Sequence, residues 1–311
     1  RTVVKPGFDA SVLRLDNGKF LSAKIDGNPK HCYLDPRQGA IGCFEEACRN
    51  VVCTGANPIG MVDHLQFGNP EDPEIFWTFM ESLEGLTDYA KFLRVPCVGG
   101  KVSFYNETDF GPIKPTPLIG VLGLVDHTPF LSSTPNGGDY LIIIGNTKNE
   151  LGGSEYFEYV DKFIGGVCPT VDFKNSKINM VAVLSLIKNK LVKLVHDCSK
   201  GGFSIALSEL SIFGHVGCDV DIEKIPCEKD LTSEQILFSE SHSRYLLVID
   251  KKNILNVERF LSKKKISFAV LGIFSGDQIN IKRKSQNLVK LKIDLAQKRY
   301  FNGLGDLLNN G

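Results

Sequence analysis

The sequence predicts an α+β chain of two domains, and three observations carry that prediction. A length of 311 residues suggests about two domains. Up to about residue 134, short strands alternate with long amphipathic helices. After the turn-forming cluster Thr134-Pro135-Asn136-Gly137-Gly138, strands and helices alternate in the regular rhythm of a layered α/β domain.

Residues 11–15 and 19–25 read as strands joined by the turn Asp16-Asn17-Gly18, a hairpin signal. Ile41, Phe44, Cys48 and Val51 form a helical stripe over 37–54 that Gly55 stops. Ile59 to Val62 is a short apolar strand ending at Asp63. Pro73 opens a long helix over 73–94, with Phe76, Phe79, Leu83, Leu86, Ala90 and Leu93 along one side. Strands are expected at 95–98 and 118–125, on either side of a glycine-rich stretch and its loop. In the second domain the expected order is strand 140–144, helix 177–189, strand 191–195 and helix 203–213. A polar stretch follows, then strand 245–249, helix 254–263 and strand 268–273. The last thirty or so residues are basic and apolar by turns and carry no clear pattern.

Composition excludes several classes of function. Lys and Arg number 36, as do Asp and Glu, which argues against a nucleic-acid or membrane-surface protein. No apolar run approaches the roughly 18 residues of a membrane span, and no signal peptide is expected. The first residue is Arg1, as expected of a segment of a longer polypeptide. Nine cysteines occur without a CxxC pair. Cys43, Cys48 and Cys53 are spaced by five, which on a helix turns each about 140° from the next. Buried, reduced thiols and a cytoplasmic location are therefore expected, not a zinc site.

The stretch Val98-Gly99-Gly100-Lys101-Val102-Ser103-Phe104-Tyr105-Asn106-Glu107 is the most suggestive. Read plainly, it is a hairpin turn or a helix start. Read for chemistry, its glycines let backbone N–H groups approach an anion, Lys101 adds a point charge, and Ser103 adds a hydroxyl. In an extended chain Lys101 and Ser103 share a side. GxxxxGK[ST] is absent, so this is no Walker loop. A second pattern occurs twice: Asp26-Gly27-Asn28-Pro29 leads to Asp35-Pro36, and Asp63 leads through Gly68-Asn69-Pro70 to Asp72-Pro73. These are turn residues, or strand-end carboxylates for a metal or nucleotide. His196-Asp197-Cys198-Ser199-Lys200-Gly201-Gly202 has the strand–turn–helix form that suits an anion at a helix N-terminus. It has no nucleophile elbow, so a catalytic triad is not expected. Ser239-Glu240-Ser241-His242-Ser243-Arg244 reads as a solvated loop or a polar site, and Asn149 to Ser154 as a further glycine-bearing turn. The six histidines show no HxH or HxxxH spacing.

In order, DASVLR, DGNPKHCYLDP, DHLQFGNPEDPEIFW, GGKVSFYNET, VHDCSKGGFSIALSEL and FSESHSR resemble the second half of the large subunits of phosphoribosylformylglycinamidine synthases. These enzymes belong to the aminoimidazole-ribonucleotide-synthetase superfamily, and the resemblance covers about 1–275. It implies a ferredoxin-like or half-barrel sheet domain over 1–134, a layered α/β domain over 135–280, and an unassigned extension over 281–311. It also implies ATP-dependent conversion of formylglycinamide ribonucleotide and ammonia to the amidine, with ATP and magnesium as cofactors. By position, Asp63 and Gly100 match ATP-binding residues and Ser103 a substrate-binding one. Lys101 joins the ATP-binding group, at a place where many relatives carry an asparagine described as a magnesium ligand. An ammonium cannot take that role, so no metal ligand is assigned. The family's catalytic histidines lie in the first half, and the 240–242 stretch echoes a substrate contact there. Implied partners are that first half, a glutaminase subunit and a small accessory subunit, with self-association of the isolated half. A non-catalytic structural half is the alternative, as is another ATP-using member such as selenophosphate synthetase. That enzyme's glycine-rich, cysteine- or selenocysteine-bearing tail is not seen here.

Overall fold

Two sheets organise the chain in a computed structural model that describes residues 1–5, 7–125 and 134–309. The first sheet opens with β1 (Thr2–Val4), β2 (Ser11–Arg14) and β3 (Phe20–Asp26). The expected hairpin joins β2 to β3. The Leu15 N–H donates to the Lys19 carbonyl at 2.9 Å, and Gly18 takes the positive φ of 80° that the turn needs. Two helices follow where one was expected, α1 (Pro29–Leu34) and α2 (Pro36–Cys53). Pro36 causes the break, because its ring excludes the preceding residue from helical geometry. Asp35 is extended at φ −152° and caps α2 through a 2.9 Å bond from the Gln38 N–H.

Next come β4 (Asn57–Gln66), α3 (Pro73–Leu93), β5 (Cys97–Ser103), the small hairpin β6 (Glu107–Thr108) and β7 (Gly111–Pro112), and β8 (Thr116–Val125). The order across the sheet is β1-β2-β3-β8-β4-β5. Two expectations change here. β4 runs well past Val62, so Asp63 lies inside a strand and not at its end. The glycine-rich stretch is neither turn nor helix start but the edge strand itself, paired in parallel with β4. The repeated Asp-Pro pairs are helix starts, with Asp35 and Asp72 as caps and proline at the first turn.

Helix α2 covers one face of this sheet, where Val12, Phe20, Met61, Leu65, Ile119 and Val121 are buried. On the opposite face Leu13, Ile25 and Val62 remain 39%, 71% and 39% exposed. That face is apolar and open.

The second part contains β9 (Tyr140–Ile144), α4 (Glu155–Tyr159), α5 (Phe173–Lys188), β10 (Leu194–Asp197), α6 (Gly202–Gly214), β11 (Cys218–Asp221) and α7 (Ser233–Phe238). It ends with β12 (Tyr245–Ile249), α8 (Ile254–Lys263), β13 (Phe268–Phe274), β14 (Gln278–Arg283), β15 (Gln286–Lys292) and α9 (Ile293–Asn309). The sheet order is β10-β12-β9-β13-β11-β14-β15. Its neighbours are antiparallel except β11 and β14. Both faces of its middle are buried, which is why β9 and β12 are unbroken apolar runs. Ile142, Ile144, Leu247 and Ile249 face a core shared with α2, α5 and α8, while Leu141, Ile143, Leu246 and Val248 face α6 and α7. Helix α2 thus lies between the two sheets, and the domains share one core. The patternless C-terminal residues supply β15, paired with β14, and α9, whose Tyr300 packs on Phe213 of α6 with ring centroids 5.7 Å apart.

Candidate functional site

Strands β4 and β5 bring the four candidate residues side by side. Asp63 lies opposite Gly100, His64 opposite Lys101, and Gln66 opposite Ser103. Strand geometry alternates faces, so Asp63 and Gly100 share the side of buried Met61 and Leu65. Lys101 and Ser103 point to the open side, together as the sequence implies. The four therefore occupy both sides of one sheet rim. Gly99 and Gly100 leave that rim bare, so a ligand lying along it reaches both sides.

The need for glycine at 100 is steric. A Cβ there would sit 2.3 Å from Asp63 Oδ1, so the carboxylate lies directly over bare backbone. The Cys97 thiol donates to Asp63 Oδ2 at 3.4 Å. Lys101 is exposed and makes no hydrogen bond or ion pair among the described residues. Beside it, His64 Nε2 is buried without a hydrogen-bond partner among the described residues. Ser103 is half-buried, and its hydroxyl meets the Asn106 amide at 3.2 Å.

Two turns hold this rim in place. The Phe67 N–H donates to the Ser103 carbonyl at 3.0 Å, and the Tyr105 N–H donates to the Gly68 carbonyl at 2.9 Å. Asn106 Nδ2 donates to the carbonyls of Phe67 and Ser103, and Glu107 Oε1 accepts from the Asn69 N–H at 3.0 Å. The FGNPE and VSFYNE segments are thus one knitted unit. His64, Cys97, Asn106 and Glu107 are the residues that sequence reasoning missed. His64, Asn106 and Glu107 lie in the quoted motifs, which was the available signal, whereas Cys97 lies just ahead of them and carried none. The rim does not make a magnesium site by itself, because Asp63 supplies one carboxylate and its neighbour Lys101 is a cation.

The other motifs meet at the seam between the domains, where they bind one another. Arg49 of α2 is fully buried and donates to Asp197 Oδ2 at 3.0 Å and to the Cys198 carbonyl at 3.2 Å, and it pairs with Glu45. Glu45 also accepts from the hydroxyls of Ser176 and Ser243 at 3.1 and 3.0 Å. Burial pushes the Glu45 carboxyl up, but Arg49, His242 and Ser243 outweigh it and hold the group at about 2. Lys200 donates to the Gly27 carbonyl at 3.2 Å, and Lys30 to Glu155 and Glu158 at 2.8 and 2.7 Å.

Expectations for this seam are partly overturned. Glu240 accepts from the Gly201 N–H at 2.9 Å, so an internal carboxylate already serves the start of α6. The 239–244 stretch is no solvated loop: Ser239, Glu240, Ser241 and Arg244 are buried, and Arg244 donates to the carbonyls of Ser239 and Ser241. Asp9, His196 and Asp197 hold ligand-type atoms within 4.8 Å of one another. Both ring nitrogens of His196 are taken, by Asp9 at 3.0 Å and Glu209 at 3.1 Å. Burial opposes charge on that ring, yet the two carboxylates raise its pKa well above the usual value, and an imidazolium does not ligate. No triad forms there. All nine cysteines are free thiols, seven buried, with Cys97 and Cys227 exposed.

Two fused α+β sheet domains around a shared helix define the class. Models of the AIR synthase related protein family match the chain in succession, the N-terminal domain over residues 7–125 and the C-terminal domain over 136–282, and the chain belongs to that family. A phosphoribosylformylglycinamidine synthase subunit PurL from Thermococcus sibiricus is 40% identical over 312 residues, covering 99% of this chain and 42% of the relative. The same subunit from Thermococcus gammatolerans is 44% identical over 258 residues, covering 82% of this chain and 35% of the relative. The chain thus spans about two-fifths of the length of the curated relatives it matches. Among solved structures, T. maritima PurL complexed with FGAR shares the fold with a TM-score of 0.81 at 22% identity, over 94% of this chain and 48% of that one.

Proposed function

We propose that this chain is the second half of a phosphoribosylformylglycinamidine synthase, an ATP-dependent ligase of purine biosynthesis, and that the β4–β5 rim is part of its ATP site. The observation that carries the reading is the rim: a carboxylate over bare glycine backbone, with a lysine beside it that is unpaired among the described residues, at an open sheet edge. Phosphoryl transfer asks a protein for positioning and charge and little covalent chemistry. Asp63, Gly100 and Lys101 are the proposed ATP-binding residues. Ser103, on the same side as Lys101, is the proposed contact to formylglycinamide ribonucleotide. Catalytic acid and base groups are assigned to a first half, with which the open face of the first sheet pairs. Ammonia comes from a glutaminase subunit, and a small accessory subunit completes the assembly. T. maritima PurL has been solved in complex with ATP, and the T. maritima PurLQS structure supports an assembly in the family. Magnesium enters with the nucleotide, its protein ligands outside this rim.

The same reading divides the chain at 134/135, between the two sheets, with 281–311 extending the second. A cytoplasmic location is part of the proposal, supported by the free thiols; among the described residues no helix is long and apolar enough to cross a membrane. Calorimetric titration of ATP into the chain, alone and with the first half, tests it. Binding that appears with the first half and is lost in Asp63→Asn supports the reading. Equal binding by wild type and Asp63→Asn would remove the rim from the nucleotide site.

A further inference from the structure

We infer that Cys97 is a positioning residue of the rim, whose thiol proton holds the Asp63 carboxylate in place over Gly100. The inference rests on the nucleotide reading above and deepens it. A β-bulge between Met61 and Val62 inserts Val98 into β5, which brings Cys97 onto the side of the sheet that carries Asp63. The thiol then lies 3.4 Å from Asp63 Oδ2 and 3.3 Å from the Gly99 carbonyl, so its one proton is shared between two acceptors. Gly100 blocks nothing on the other flank, where Asp63 Oδ1 occupies the space of the missing Cβ. The carboxylate is thereby fixed from two sides, by a donor and by a gap.

The electrostatics agree with this geometry. Partial burial raises the thiol pKa and the Asp63 charge raises it further, against the lowering effect of Gly99. The thiol therefore stays protonated near neutrality and remains a donor. Loss of that proton, or its replacement by a bulkier group on sulfur, would set a charge or a clash against Asp63. Because Cys97 is exposed, reagents reach it.

Coupling between the two groups is reciprocal, which makes the test independent of activity. In the full chain, the pH profile of iodoacetamide alkylation is read at each cysteine by mass spectrometry, with exposed Cys227 as internal reference. Asp63→Asn should shift the Cys97 profile to lower pH and leave Cys227 unmoved. An unshifted Cys97 profile would overturn the inference. With the first half present, Cys97→Ala should weaken ATP binding about 2- to 10-fold, the worth of one ordinary hydrogen bond, and Cys97→Ser should restore it. If Asp63→Asn weakens ATP binding while Cys97→Ala does not, the positioning role is wrong and the nucleotide reading stands. If neither changes ATP binding although the alkylation profile shifts, the nucleotide reading fails and the positioning role goes with it.

Discussion

Arg49 sets the scale of what one residue does here. Its guanidinium joins Glu45, on its own helix, to Asp197 and Cys198 of the other domain, without access to water. Removing it leaves two buried carboxylates, Glu45 and Asp197, without their shared cation. Arg49→Ala should lower unfolding stability by about 3–5 kcal/mol, read as a fall in the denaturant midpoint, and Arg49→Lys should rescue little, because a point charge cannot replace a fork. A loss within error would mean that the seam is held by packing alone. Lys101 makes the opposite case, being exposed and, among the described residues, unpartnered. Lys101→Ala should leave stability unchanged and weaken ATP binding about 10- to 150-fold, the worth of a charge-assisted contact of roughly 1.5–3 kcal/mol. Lys101→Asn should be milder. Unchanged affinity would make the lysine a spectator. His31 supplies a pH test. Burial first, then the nearby charges of His242, Lys30 and Lys200, lower its pKa from 6.5 to about 3. The unfolded chain therefore takes up a proton below pH 6.5 that the folded chain refuses. Stability from this group is full above pH 6.5 and is lost as pH falls toward 3, by up to about 1.4 kcal/mol per pH unit. His31→Gln should flatten the acid limb by that slope, and an identical limb would contradict the assignment. As candidates, Asp63, Gly100, Lys101 and Ser103 were legible in the sequence because they sit in compact motifs. Cys97 and His64 were not, because their roles depend on which residue lies across the strand.

At the scale of elements, local chemistry decided what could be read. Helix α3 announces itself by Asp72, which accepts from the N–H groups of Glu74 and Ile75, by Pro73 at its first turn, and by its apolar stripe. Asp72→Ala should cost about 0.5–2 kcal/mol in thermal or denaturant unfolding. No loss would show that tertiary packing alone fixes the helix start. Helix α1 was not legible, because its six residues hold no full apolar period and the break at Asp35–Pro36 read as a turn. Strand β5 was misplaced for a related reason. Two glycines and a lysine have poor strand propensity, and pairing with β4 overrides it. Strands β14 and β15 alternate polar and apolar residues, but a basic composition masked them. They become strands by adding to a sheet that already exists.

For the whole molecule, the layered second domain was foreseeable from its alternating rhythm, whereas the open face of the first sheet is visible only in three dimensions. Leu13, Ile25 and Val62 come from three separate strands and gather on one uncovered side. Such a surface tends to find a partner. The chain by itself should therefore self-associate, and sedimentation at high micromolar concentration should show a dimer or larger species that the first half displaces. A monomer under those conditions would count against it. The central claim, that this chain is one half of a divided ATP-dependent synthase, is tested most directly by assaying amidine formation from formylglycinamide ribonucleotide, ATP and ammonia. The account predicts no turnover by the purified chain and measurable turnover once the separately expressed first half is added. Turnover by the chain alone, or none from the two halves together when both are folded, would contradict it.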